Sequence, residues 1–240
     1  LPIFKIAQTL QDPLLLLGAH KNLGFFLFWP AEWQASRDHL ERTLTFYDPQ
    51  KFHTYVSTYE ADLGVWAFIE SALALWHLGY PEQARQKSRE TFTLMQTLRH
   101  PNTMAWAFIC LAWLHSCLRE PQKTQEYAEV AVTLSREHGF SLWLAYGTTF
   151  YGWGLAMQEQ EEGRAQIRQG MALARDIGTD LARSHHLALL AEAYSKKGDR
   201  DEALRLLDEA IAFVEERGER VYEAEIYRLK GELLLAQAGK

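Results

Sequence analysis

The residues that could do chemistry are few and scattered. His185 and His186 are the one adjacent histidine pair. Neighbouring positions of a helix point about 100° apart, so a single metal ion does not suit both rings. Cys110 and Cys117 lie seven apart. Two helical turns separate them by roughly 10 Å, too far for a disulfide. They read as buried thiols of a reducing compartment, with no basic partner placed by the sequence to activate either. The carboxylate pairs Glu161-Glu162 and Glu215-Glu216 read as solvated faces and helix-end charges. No G-x-x-x-x-G-K-[ST] phosphate loop, H-E-x-x-H, C-x-x-C or G-x-S-x-G elbow occurs. The expectation is therefore no catalytic residue, no metal and no cofactor.

What repeats instead is spacing. Break points at His100, Gly139, Gly178 and Gly218 fall about 39–40 residues apart. Between them small residues recur in register. Gly24, Ala72, Ala112, Gly152, Ala191 and Gly231 form one row. Ser36, Ala84, Thr124, Gly163 and Ala203 form a second. Thr43, Thr91, Ala131, Gly170 and Ala210 form a third, always seven residues after the second. Helices joined by a short turn approach closely only where a side chain is tiny, and a larger one costs roughly 1–3 kcal/mol. Such a period signals stacked supersecondary units, an all-α solenoid of antiparallel helix pairs.

The units are set out along the chain as follows. Residues 1–11 end a preceding helix. Helix pairs span 12–49, 62–100, 101–139, 140–178 and 179–218, and 219–240 is a closing or half-repeat helix. Asp12-Pro13 reads as an N-cap with proline in the first turn, Pro81 and Pro121 as helix starts, and Lys197-Gly198-Asp199 as a stop and cap. Residues 50–63 contain an insertion of roughly eight residues, read as an ordered surface loop. The chain is expected to be a piece of something longer, because it starts and ends inside the repeat.

Composition excludes further classes. The net charge of −6 with mixed signs argues against a nucleic-acid surface. The longest apolar run, Ala105–Leu114, is about half of the roughly 20 residues that a membrane span needs. A basic n-region with a cleavage site is not seen. The reading is cytoplasmic.

The rows resemble those of tetratricopeptide repeats. In the fifth unit Leu187, Leu190-Ala191, Tyr194, Ala203 and Ala210 follow that pattern, with Leu187 where Trp is usual; the units here are longer than the family's ~34 residues. Three segments are similar to the repeat region C-terminal to the ATPase module of bacterial multidomain signalling proteins, both cyclase-bearing ones and LuxR-type regulators. They are Ala74-Leu75-Trp76-His77-Leu78-Gly79-Tyr80-Pro81, Leu187-Ala188-Leu189-Leu190-Ala191-Glu192-Ala193-Tyr194 and Glu225-Ile226-Tyr227-Arg228-Leu229-Lys230-Gly231-Glu232-Leu233-Leu234. The cyclase and ATPase motifs themselves are absent from this sequence. The resemblance implies a non-catalytic interaction, sensor or scaffold module of such a signalling ATPase.

It also implies a concave face lined by the first helix of each pair. The matching positions are Trp66, Ile69, Leu73 and Trp76, then Trp106, Ile109 and Trp113, then Tyr146 and Trp153, then His185 and Glu192. The face is thus aromatic in the middle and polar toward the C-terminus, which argues against the Lys/Asn/Arg carboxylate clamp of chaperone-binding members. Each Trp carries roughly 150–250 Å² of buriable surface, so something covers these rings. Two readings stand. In one, a protein or peptide partner, a neighbouring domain or a small apolar or sugar ligand fills the groove, with Trp113 and Trp153 stacking on a sugar. In the other, neighbouring repeats cover the rings. A self-association or spacer module is the third class.

Overall fold

Proline and glycine punctuate the chain into helices. In the computed structural model, which describes residues 2–238, every regular element is helical among the described residues. The helices are α1 (Pro2–Leu10), α2 (Pro13–Phe28), α3 (Trp33–Phe46), α4 (Phe52–Tyr59), α5 (Leu63–His77), α6 (Pro81–Leu98), α7 (Pro101–Cys117) and α8 (Pro121–His138). They continue as α9 (Ser141–Met157), α10 (Gly163–Asp176), α11 (Arg183–Lys196), α12 (Arg200–Arg217) and α13 (Glu223–Ala238). The first and last segments read from sequence reach residues 1, 239 and 240, which lie outside the described residues.

The local signals act as their chemistry dictates, with one exception. Asp12 accepts from the Leu14 and Leu15 amides at 2.8 and 3.2 Å, and Pro13, Pro81 and Pro121 open α2, α6 and α8. Gly139 and Gly218 cap α8 and α12 at φ +73° and +71°, a conformation that a Cβ disfavours. Gly198 likewise stops α11 at φ +84°. Asp199, however, stands at the α12 N-cap without its side chain accepting a capping bond, so it closes the turn by position alone.

The chain divides into two compact units, residues 1–114 and 115–240, with the division inside α7. In the first unit α2 packs on α3, α3 on α5, and α5 on α6. Residues 50–63 are not the loop expected. Pro49–Lys51 make a 3-10 turn and α4 follows. The reason is aromatic spacing: Tyr55 and Tyr59 fall one helical turn apart on one face. Tyr55 is buried in a cluster with Leu17, Ala61 and Leu63, and its hydroxyl accepts from the Asp48 amide at 2.8 Å. The Tyr59 hydroxyl donates to the Leu14 carbonyl at 2.9 Å.

In the second unit α8 packs on α9, α9 on α10, α11 on α12, and α12 on α13. The small rows sit at the crossings. A Cβ on Gly163 would stand 2.4 Å from the Ala156 backbone nitrogen, and one on Gly152 would stand 2.5 Å from that of Ile167. Gly170 lies equally close to Thr149 and Ala145. In the first unit Gly24 faces Leu40 in the same way, and the Ser36 hydroxyl of the second row donates to the Gly24 carbonyl of the first at 2.7 Å. The row threonines Thr43, Thr91 and Thr124 return their hydroxyls to their own helices, which leaves no unmet donor at a dry contact. Gly231 departs from its row, since a Cβ there meets nothing within 4 Å.

Candidate functional site

The first unit carries its chemistry on α2, α5 and α7. Both α2 and α5 are apolar nearly all round, and each carries a lone buried charge that the apolar pattern does not explain: Lys21 and Glu70. The Lys21 ammonium stands 3.1 Å from Glu70 Oε1, and the Trp106 indole donates to the same oxygen at 3.0 Å. Lys21 Nζ also lies 4.6 Å from the Phe25 ring centroid and 4.9 Å from that of Trp66, a cation–π seat that offsets part of its lost hydration. Burial pushes the Glu70 carboxyl upward, and the ammonium and the indole oppose that shift. Glu70 Oε2 and Trp29 Nε1 have no hydrogen-bond partner among the described residues. Both residues border one small cavity with Phe25, Phe28, Trp106 and Trp113, whose free space of about 10 Å³ admits one water-sized group.

The register positions of this unit separate by depth. Ile69, Leu73, Trp106, Ile109 and Trp113 are buried; Trp66 and Trp76 are half-buried. Trp113 lies edge-on to Phe28 at 5.5 Å and tilted against Trp29 at 5.9 Å. The repeat register does not pick out Lys21, Glu70 or Trp29. A single charge inside an otherwise apolar helix is the signal that marks the first two.

The second unit builds its face from α9, α11 and α13. Tyr146, Trp153 and His185 are buried. The Tyr146 hydroxyl donates to the Leu181 carbonyl at 3.0 Å, and the His185 ring lies 4.0 Å from that of Tyr222. The Trp153 indole donates to Glu192 Oε2 at 2.8 Å. Above it runs a charge ladder. Arg119, in the turn before α8, donates to Glu192 Oε1 and to Glu225 Oε1. Arg228 grips Glu225 through Nε and Nη2 and reaches Glu232 through Nη1. The side chains are 17% exposed at Glu192, 21% at Glu225, and 42% and 43% at the two arginines. The outward surface of this face is therefore mixed charge, with the aromatic rings beneath it.

The neighbouring α11 start shows how the polar groups there are fixed. Ala182 adopts φ +63° at the N-cap and has no side chain to cap with. Glu219, in the turn between α12 and α13, supplies the cap, accepting from the Ala182 amide at 2.8 Å and the Ser184 amide at 3.1 Å. Burial raises the Glu219 carboxyl, and these bonds oppose the rise.

Cys110 and Cys117 are buried and form no disulfide. Burial pushes the Cys110 thiol well up, the wrong direction for a nucleophile at neutral pH. Glu161, Glu162, Glu215 and Glu216 are exposed. Among the described residues no three His, Cys, Asp or Glu side chains gather as metal ligands, and no helix is long and apolar enough to cross a membrane.

Comparison with known proteins agrees with this fold. Residues 185–216 match the family model of the tetratricopeptide repeat. Two crystal structures of nearly identical TPR-like repeats from a Podosopora anserina putative kinesin light chain are similar in fold. One is 20% identical, with 82% of this chain and 94% of that one covered at a TM-score of 0.52. The other is 18% identical, with 86% and 98% covered at a TM-score of 0.52. No curated protein matches the chain in sequence. At these identities the likeness is one of architecture: the chain has the all-α fold of TPR-like repeat solenoids, and its residues 185–216 are similar to a tetratricopeptide repeat.

Proposed function

We propose that the chain is a non-catalytic protein-binding scaffold, the interaction or sensor module of a cytoplasmic bacterial signalling ATPase. TPR-like repeats generally mediate protein partner binding, and their fold class is typically non-catalytic. In each unit taken by itself, the partner face is the one offered by the first helices of the pairs. In the second unit the partner meets the ladder Arg119–Glu192–Glu225–Arg228, with Trp153 and Tyr146 as its rigid floor. In the first unit the accessible part of the same register is the half-buried Trp66 and Trp76. One observation supports this reading above the others: four partly exposed charges are held in fixed positions by one another and by a buried indole. Positioned charges favour specificity and encounter rate.

The test is affinity capture with the whole chain in three forms. Glu225→Lys inverts the centre of the ladder, and Glu137→Lys alters an exposed position on α8. A partner should be retained by the parent and by Glu137→Lys but lost by Glu225→Lys. Equal capture by all three would sink the reading.

A further inference from the structure

The second unit holds a cavity that the protein-binding reading leaves unused. It opens between α10, the α10–α11 turn, α11 and α12, and its volume is about 240 Å³, just short of the roughly 300–1,000 Å³ of ordinary ligand pockets. Its charged lining is Arg168, Arg175, Arg183, Asp180 and Glu209, and His186 forms part of its wall. Three guanidiniums against two carboxylates leave one positive charge in excess.

The guanidiniums are not equally engaged. Arg168 donates to the Tyr194 hydroxyl at 2.7 Å and to Glu202 at 3.3 Å. Arg183 stands 3.0 Å from Glu209 and 3.5 Å from Asp180. These pairs are solvent-exposed and are held weakly. Arg175 makes no ion pair among the described residues. His186 is 2% exposed, and its Nε2 has no hydrogen-bond partner among the described residues. Burial lowers its pKa to about 3, so the ring is neutral and can donate or accept. A buried polar nitrogen without a partner asks for one.

We infer that this cavity binds a small metabolite through its oxyanion group, a carboxylate or a phosphate. The anion sits between Arg175 and Arg183, whose planar forks match either group in two-point fashion. Asp180 and Glu209 accept from hydroxyl or amino groups on the rest of the ligand. His186 supplies the innermost polar contact. The occupant is small, because the cavity volume excludes a peptide segment.

The test uses the whole ¹⁵N-labelled chain titrated with inorganic phosphate, with acetate, and with sodium chloride at matched ionic strength. The amide and side-chain signals of Arg175, Arg183 and His186 report. Saturable shifts with phosphate or with acetate are expected, and whichever anion saturates identifies the group recognised. Arg175→Gln should weaken that binding about tenfold or more. Arg217→Gln, exposed at the end of α12, should leave it unchanged. Arg183→Gln provides an independent second loss, and a parental melting temperature shows that each variant is folded. An equal response to chloride, the absence of saturation with both anions, or unweakened binding in both arginine variants would overturn the inference.

Discussion

Gly163→Ala adds one methyl group at a helix crossing with almost no room for it. That Cβ would stand 2.4 Å from the Ala156 nitrogen and 2.7 Å from its Cα and Cβ. Ordinary carbon contacts lie at roughly 3.5–4.0 Å, so α9 and α10 must separate by about 1 Å. Two of the three obstructing atoms are backbone and cannot rotate away. Overpacking of this kind costs about 1–3 kcal/mol, and the entropy gained on replacing glycine returns about 0.5–1 kcal/mol. The net loss is about 1–2 kcal/mol, or roughly 2–8 °C in melting temperature for a chain of this size. Gly231→Ala is the matched control. It belongs to the same repeat rows, yet a Cβ there meets nothing within 4 Å, so it should stabilise by up to about 0.5–1 kcal/mol. Thermal melts followed by circular dichroism at 222 nm measure both. If Gly163→Ala melts at or above the parent, the close approach of α9 and α10 is wrong, and with it the physical meaning of the rows.

Trp153→Ala removes a ring that is 1% exposed and should cost about 3–5 kcal/mol in a denaturant melt; a parental midpoint would mean that the ring is surface. Arg119→Ala acts on partly exposed ion pairs and should change stability by under about 1 kcal/mol. Glu219→Ala strips the caps from the Ala182 and Ser184 amides and should cost about 1–3 kcal/mol, with faster hydrogen exchange at Ser184; unchanged exchange would contradict the cap. The buried histidines set an acid limit. Burial lowers the pKa of His77 and of His186 to about 3, so below the unfolded value near 6.5 the unfolded chain binds the extra proton. Their stabilising share is complete above pH 6.5 and is lost as pH falls toward 3. The slope is about 1.4 kcal/mol per pH unit for each, and the pH dependence of the midpoint should flatten in His186→Asn.

The small rows are legible in the sequence because close approach tolerates so few residue types. Gly24, Gly152, Gly163 and Gly170 all stand where a methyl group would collide with a facing helix. The 50–63 segment misleads because its polar Thr, His and Tyr content suggests a loop, whereas the i, i+4 tyrosines supply enough buried face for two turns of helix. Depth is not readable from spacing: whether Trp106, Trp113 or Trp153 is buried depends on long-range neighbours such as Phe28, Trp29 and Glu192 within its own unit. Lys21 with Glu70, and Arg119 with Glu192 and Glu225, are long-range pairings that no local period encodes.

The most direct test of the protein-binding account is site-specific photocrosslinking inside cells. A benzophenone side chain at position 195 of α11 lies beside the ladder on the proposed partner face without replacing a member of it, and one at position 137 lies on the exposed side of α8. The account predicts a discrete crosslinked protein from position 195, none from position 137, and loss of the adduct when Glu225→Lys is added. A discrete adduct from position 137 with none from 195, or one that survives Glu225→Lys, would contradict it.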